Sequence, residues 1–174
     1  ERVVVSQIHR SPGVFFSLDE RADAYIAKII PYFGAWLQFE VDRDTSILYA
    51  RLDRGKRILG SIILKAFGMA GNSALLKEFY GSSGLEEVPV NMELVGKTIA
   101  EDVADPETGE IFLETPIEIT NEEVALLERQ RIQRVQILKG QGEPNFNSIM
   151  LKSLLKDQTR DTAEALEEVF RYFS

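Results

Sequence analysis

Two runs of strictly alternating residues lie close together near the middle of the first half of the chain. Leu37, Phe39 and Val41 alternate with Gln38, Glu40 and Asp42. Ile47, Tyr49 and Arg51 then alternate with Leu48, Ala50 and Leu52, and only Arg43-Asp44-Thr45-Ser46 separates the runs. A period of two with a short polar break specifies a β-hairpin and excludes a helix over the same residues. Trp36, the sole tryptophan, stands at the start of the hairpin, and Arg54, Lys56 and Arg57 cluster at its end. A cationic rim beside an aromatic face suits phosphates and a stacked base. The plainer reading is a core tryptophan in an ordinary sheet with a solvated basic turn.

Around the hairpin the chain reads as a mixture of strands and helices. Strands are expected over Arg2–Ile8, resuming at Val14-Phe15-Phe16 after a His9–Gly13 turn, and over Tyr25–Ile30, with a polar linker at Ser17–Asp23. From Arg57 the spacing turns helical through Phe67, with Gly68 as the residue beyond the helix end. A second helix, Ala74–Tyr80, is expected to be capped by Asn72 or Ser73 and stopped by Gly81. Gly81-Ser82-Ser83-Gly84 reads as a linker. Beyond it, short strands are expected at Pro89–Leu94, Lys97–Val103, Glu110–Glu114 and Val135–Leu138, with a turn at Asp105–Gly109. Thr120-Asn121-Glu122-Glu123 is a capping box opening a helix to about Gln130, with Val124 and Leu127 on its buried stripe. Helices at Ser148–Leu155 and Thr162–Phe173 close the chain. The last has Asp161 at its N-terminus and Ala165, Leu166, Val169, Phe170 and Phe173 as its apolar face.

Charge divides the chain. Residues 1–80 hold eleven Lys/Arg and nine Asp/Glu, and residues 81–174 hold nine against nineteen. The halves therefore carry +2 and −10, two modules with different partners, and a DNA contact belongs to the first. The absence of cysteine excludes disulfides and thiolate metal sites. No apolar run approaches the roughly 20 residues of a membrane span, and from the charged, β-like first residues no signal peptide is expected. His9 has no second imidazole for a zinc site. Val95-Gly96-Lys97-Thr98 resembles the end of a phosphate-binding loop, but Asn91 stands where its first glycine belongs. The acidic pairs Glu86/Glu87, Glu101/Asp102 and Glu122/Glu123 fit a solvated surface. No nucleophile elbow exists. No catalytic residue, metal ligand or cofactor site is expected.

Three blocks, VVVSQIHRSPGVFF, IIPYFGAWLQFEVD and ILYARLDRGKRILGSIILKAFG, occur in that order. They resemble the β subunit of bacterial DNA-directed RNA polymerase, in the part spanning the edge of the protrusion and the lobe. Residues from about Glu86 to Gly140 resemble an insertion in that lobe, and Asp157–Asp161 with Leu166–Phe173 resembles the return into it. The opening Glu1 is consistent with an excised piece. The resemblance implies an α+β fold, with residues 1–84 and 141–174 as lobe and 85–140 as an inserted β-rich module like a barrel-sandwich hybrid. It implies a cytoplasmic nucleotidyltransferase whose catalytic magnesium sits on the β′ subunit, with β′, α, σ and DNA as partners. The acidic charge of the insertion gives an alternative reading, a protein-interaction module for a transcription factor or σ.

Arg10, Trp36 and Asp53 fall where the family forms a pocket for the non-template strand: Trp36 stacking on a base, Arg10 and Asp53 holding the next one. Arg54, Lys56 and Arg57 would attract phosphates, and Arg2 and Val5 match the edge of the rifamycin pocket. The residues themselves also allow Arg10 to cap its turn, Asp53 to pair with Arg51 or Arg54, and Val5 to be core. Phe33 stands where many relatives carry arginine, and Gly55 interrupts what is often a basic run. Both departures remove positive charge.

Overall fold

The computed structural model describes residues 11–173. Arg2, Val5, Arg10 and the expected strand Arg2–Ile8 lie outside the described residues. Among the described residues the fold is α+β, 32% helical and 29% strand, with no closed barrel. The chain divides into two compact units, residues 1–60 and 61–174.

The first unit is an antiparallel meander of β1 (Gly13–Asp19), β2 (Ala24–Ile30), β3 (Leu37–Asp42), β4 (Ile47–Leu52) and β5 (Ile58–Leu59), ordered as in sequence. The hairpin has the expected bounds and register, Leu37 opposite Leu52 and Asp42 opposite Ile47. Its turn is tied by Asp42, whose Oδ1 accepts the Thr45 amide at 2.9 Å while its carbonyl accepts the Ser46 amide at 2.8 Å. That bond from Thr45, with others around it, holds the Asp42 carboxyl below the usual range. Two boundaries differ from expectation. β1 runs on to Asp19 through the supposed linker, because Ser17, Leu18 and Asp19 pair with Ile26, Tyr25 and Ala24. Ile58 and Leu59 pair with Ala50 and Tyr49 as β5, which delays the helix by about one turn.

Register places Val14, Phe16, Leu18, Tyr25, Ala27, Ile29, Leu37, Phe39, Val41, Leu48, Ala50 and Leu52 on one face. Every one is apolar or aromatic. Leu48 and Ala50 are buried, whereas Phe16 is 81% exposed and Val14, Leu18 and Tyr25 about half.

In the second unit, α1 (Gly60–Ala66, its first residue belonging to the preceding unit) and α2 (Gly71–Tyr80) precede a β-rich module in sequence, and α4 (Ile149–Lys156) and α5 (Thr162–Phe173) follow it. That module contains β6 (Leu85–Pro89), β7 (Thr98–Ile99), β8 (Val103–Ala104), β9 (Ile111–Leu113), β10 (Ile117–Glu118), α3 (Asn121–Arg129) and β11 (Arg134–Leu138). Its strands form an open sheet, β10-β7-β11-β6, and a separate β8-β9 ribbon. Leu94, Ile99, Leu113, Ile119, Val124, Leu127, Val135 and Ile137 make its apolar centre. The capping box of α3 is complete, with the Glu123 carboxylate accepting from the Thr120 amide at 2.8 Å and from the Thr120 hydroxyl.

Other local expectations fail for physical reasons. Asn72 and Ser73 lie inside α2 and do not cap it: Asn72 Nδ2 donates to the Thr115 carbonyl at 2.8 Å, and Ser73 Oγ accepts the Asp102 amide at 3.0 Å. Both side chains fasten the module to the helix. The strand proposed for Pro89–Leu94 stops at Pro89, and Asn91 Oδ1 accepts the Glu93 amide to start a 3₁₀ turn over Met92–Leu94. The Gly81–Gly84 linker is also structured, since the Gly84 carbonyl accepts the Lys139 amide. On α5 only Ala165 is buried, while Leu166, Phe170 and Phe173 are exposed.

A buried polar cluster joins α1 to the residues after α4. Lys65 Nζ, on a side chain without solvent exposure, donates to Asp157 Oδ2 at 2.9 Å and to the Thr159 carbonyl at 2.5 Å. The Ser61 hydroxyl donates to the same Asp157 oxygen at 2.7 Å. Asp157 Oδ1 accepts from the Thr159 amide and hydroxyl. Each buried charge thereby gains several partners, the condition under which such a pair is tolerated in an interior.

Candidate nucleic-acid interface

The end of the sheet that carries the β2–β3 and β4–β5 turns brings Trp36 and Asp53 together. The Trp36 amide donates to Asp53 Oδ1 and the Asp53 amide donates to the Trp36 carbonyl, both at 2.7 Å. This reciprocal pair extends the β3–β4 ladder one step past Leu37 and Leu52. Asp53 adopts a left-handed backbone, φ 51°, a conformation that aspartate tolerates better than most residues. The Trp36 side of the hairpin is thus set by one bond to a carboxylate and one backbone–backbone bond. The tryptophan residue is 39% exposed, which removes the sealed-core reading.

The cations divide into two kinds. Arg51 is not the partner of Asp53: its Nε bonds Glu40 at 2.7 Å and its Nη1 donates to the Gly55 carbonyl. Arg57 lies over the Tyr49 ring, 4.2 Å from its centroid, with Asp42 at 3.9 Å. Arg54 and Lys56 are exposed and form no ion pair among the described residues. These two are the cations least committed to the fold. Gly55 between them is where the backbone turns, its amide donating to the Leu52 carbonyl.

The same end carries two aromatic residues not included in the sequence-based site. Tyr32 is 85% exposed and Phe33 is 94% exposed. Their signal in the sequence was Pro31 before them and Gly34 after them, turn residues that keep a short segment at the surface.

Among the described residues no group of His, Asp or Glu is arranged to hold a metal ion. The Gly96 and Lys97 amides donate to the Ile119 and Leu94 carbonyls, so that backbone is not a phosphate cradle. No described helix is long and apolar enough to cross a membrane.

No family model matches the chain. It is 37% identical over 175 residues to DNA-directed RNA polymerase subunit beta of Leptospira biflexa, covering 97% of this chain and 14% of that protein. The subunit of the same name from Protochlamydia amoebophila is 32% identical over 179 residues, with 98% of this chain and 14% of that protein covered. That from Treponema denticola is 46% identical over 106 residues, 59% of this chain and 9% of the relative. The chain spans about one seventh of the length of the first of these relatives.

Proposed function

Since the chain belongs to the DNA-directed RNA polymerase β-subunit family, we propose that it is a non-catalytic, DNA-holding part of that subunit and serves transcription by contacting downstream duplex and the non-template strand. In this reading residues 1–84 and 141–174 are lobe and 85–140 is an insertion. Nucleotidyl transfer belongs to the assembled polymerase, with its magnesium on the β′ subunit.

The observation that carries the reading is the part-exposed Trp36 fastened to Asp53, beside Arg54 and Lys56. Aromatic stacking contributes about 1–3 kcal/mol per base and tolerates any base. Asp53 Oδ1 is spent on the Trp36 amide, so its other oxygen is the one to accept from a base edge. Arg54 and Lys56 neutralise phosphates, and Arg57 adds charge from its place over Tyr49.

The test uses the 174-residue chain with single-stranded and forked DNA. Trp36 emission should be quenched, and binding should weaken with salt with a log–log slope of about −1.5 to −2 for two or three phosphates. Trp36→Ala should weaken binding at least about fivefold. Unquenched emission together with unchanged affinity of the variant would overturn the stacking role.

A second reading rests on the insertion. Residues 85–140 hold thirteen Asp/Glu against five Lys/Arg, and Glu101, Asp102, Glu107, Glu110 and Glu118 are all exposed. Such a surface repels DNA and suits a basic protein partner such as a transcription factor or σ. Salt-insensitive binding, or no binding, of purified σ to the chain would count against it.

A further inference from the structure

The turn between β2 and β3 is built unlike its neighbours in the sheet. Residues 20–23 and 43–46 are Glu-Arg-Ala-Asp and Arg-Asp-Thr-Ser, ordinary solvated turn chemistry. Residues 31–36 are Pro-Tyr-Phe-Gly-Ala-Trp, with no charged side chain. Tyr32 and Phe33 are almost fully exposed, so neither ring stabilises the fold by burial. Gly34, at φ 101°, bends the chain between these rings and Trp36. The pairing of Leu37 with Leu52 sets the aromatic turn alongside the turn that carries Arg54 and Lys56.

We propose that Tyr32 and Phe33 are further stacking surfaces for single-stranded nucleic acid, so that the turn holds consecutive bases and not one base at Trp36 alone. The proposal rests on the single-strand contact put forward above and extends it to two residues outside the expected site. Exposed rings alone would suit an apolar protein surface. Cations that form no ion pair among the described residues, in the adjoining turn, favour a polyanion whose units each present a π face. Phe33 has no polar group, so its contact reads the flatness of a base and not its identity.

The test measures anisotropy of labelled oligo(dT) of about eight nucleotides with the full chain at low salt. Phe33→Leu keeps apolar bulk and removes the flat ring; Tyr32→Leu does the same next to it. Each should weaken binding about five- to tenfold, while Phe33→Tyr should bind as the parent does. Quenching of Trp36 at saturation should persist in all three, because its own base stays in place. Parental affinity of both leucine variants, with Trp36→Ala still impaired, would overturn this inference and leave the Trp36 contact standing. Absence of binding by the parent chain, or unquenched Trp36 emission together with an unimpaired Trp36→Ala, would overturn both. A Phe33→Tyr variant as weak as Phe33→Leu would also refute stacking at this position.

Discussion

Replacing Lys65 by methionine removes the one cation from the interior cluster and keeps most of the side-chain volume. The ammonium makes contacts to Asp157 and to both the carbonyl and hydroxyl of Thr159. Without it, a carboxylate with no exposure keeps three bonds, from Ser61 and twice from Thr159. Removing one partner of a buried pair typically costs about 3–5 kcal/mol. The three surviving bonds place the expected loss at the lower end, about 3 kcal/mol, or about a hundredfold in the folding equilibrium. Adding Asp157→Asn should return about 1–2 kcal/mol, since an amide needs no counter-charge and still accepts from Thr159. Denaturant unfolding followed by far-ultraviolet circular dichroism reports this unit, because nearly all helical residues lie in it. Trp36 emission reports the other unit and should shift little. A loss under about 1 kcal/mol in Lys65→Met, or a double variant weaker than the single one, would refute the reasoning.

Three further outcomes are expected. Asp53→Asn should keep the left-handed turn and the Trp36 amide bond, staying within about 0.5 kcal/mol of the parent, whereas Asp53→Val should lose both and cost about 2 kcal/mol by Trp36-detected unfolding. Gly60→Ala would place its Cβ 2.5 Å from Leu48 Cγ and 3.3 Å from the Leu48 carbonyl, so about 1–3 kcal/mol of overpacking should appear in the same assay. The Thr120 hydroxyl and amide hold the Glu123 carboxyl below its ordinary value. A depressed carboxyl stabilises above its unfolded value of about 4.3 and loses that contribution as pH falls through the folded value. Glu123→Gln should therefore flatten the acid limb of the stability profile below about pH 4.3, and an unchanged limb would remove the capping box from that role.

The hairpin, the α3 capping box and Gly68 were legible because each depends on neighbours in sequence: an alternation, a four-residue motif, a glycine at φ 103°. What the sequence did not disclose depends on distant partners. Asn72 and Ser73 have the composition of caps and serve instead as donor and acceptor, respectively, for the module's backbone, dozens of residues away. β10 is two residues long and exists only because Ile117 and Glu118 meet Ile99 and Thr98. At the candidate site the pattern named Trp36 and the family resemblance named Asp53, but their reciprocal bonds require the β3–β4 register. Arg57 looked equivalent to Arg54 and Lys56 until Tyr49 was seen beneath it.

The meander of the first unit has a further consequence. Twelve apolar side chains in register make one of its sides oily from β1 to β4, and only the β4 end is shut off from water. Layered proteins close such a side with another layer. Taken by itself, the sheet presents an uncovered apolar side that favours adhesion. In solution the chain should therefore self-associate as its concentration rises, with sedimentation velocity as the check.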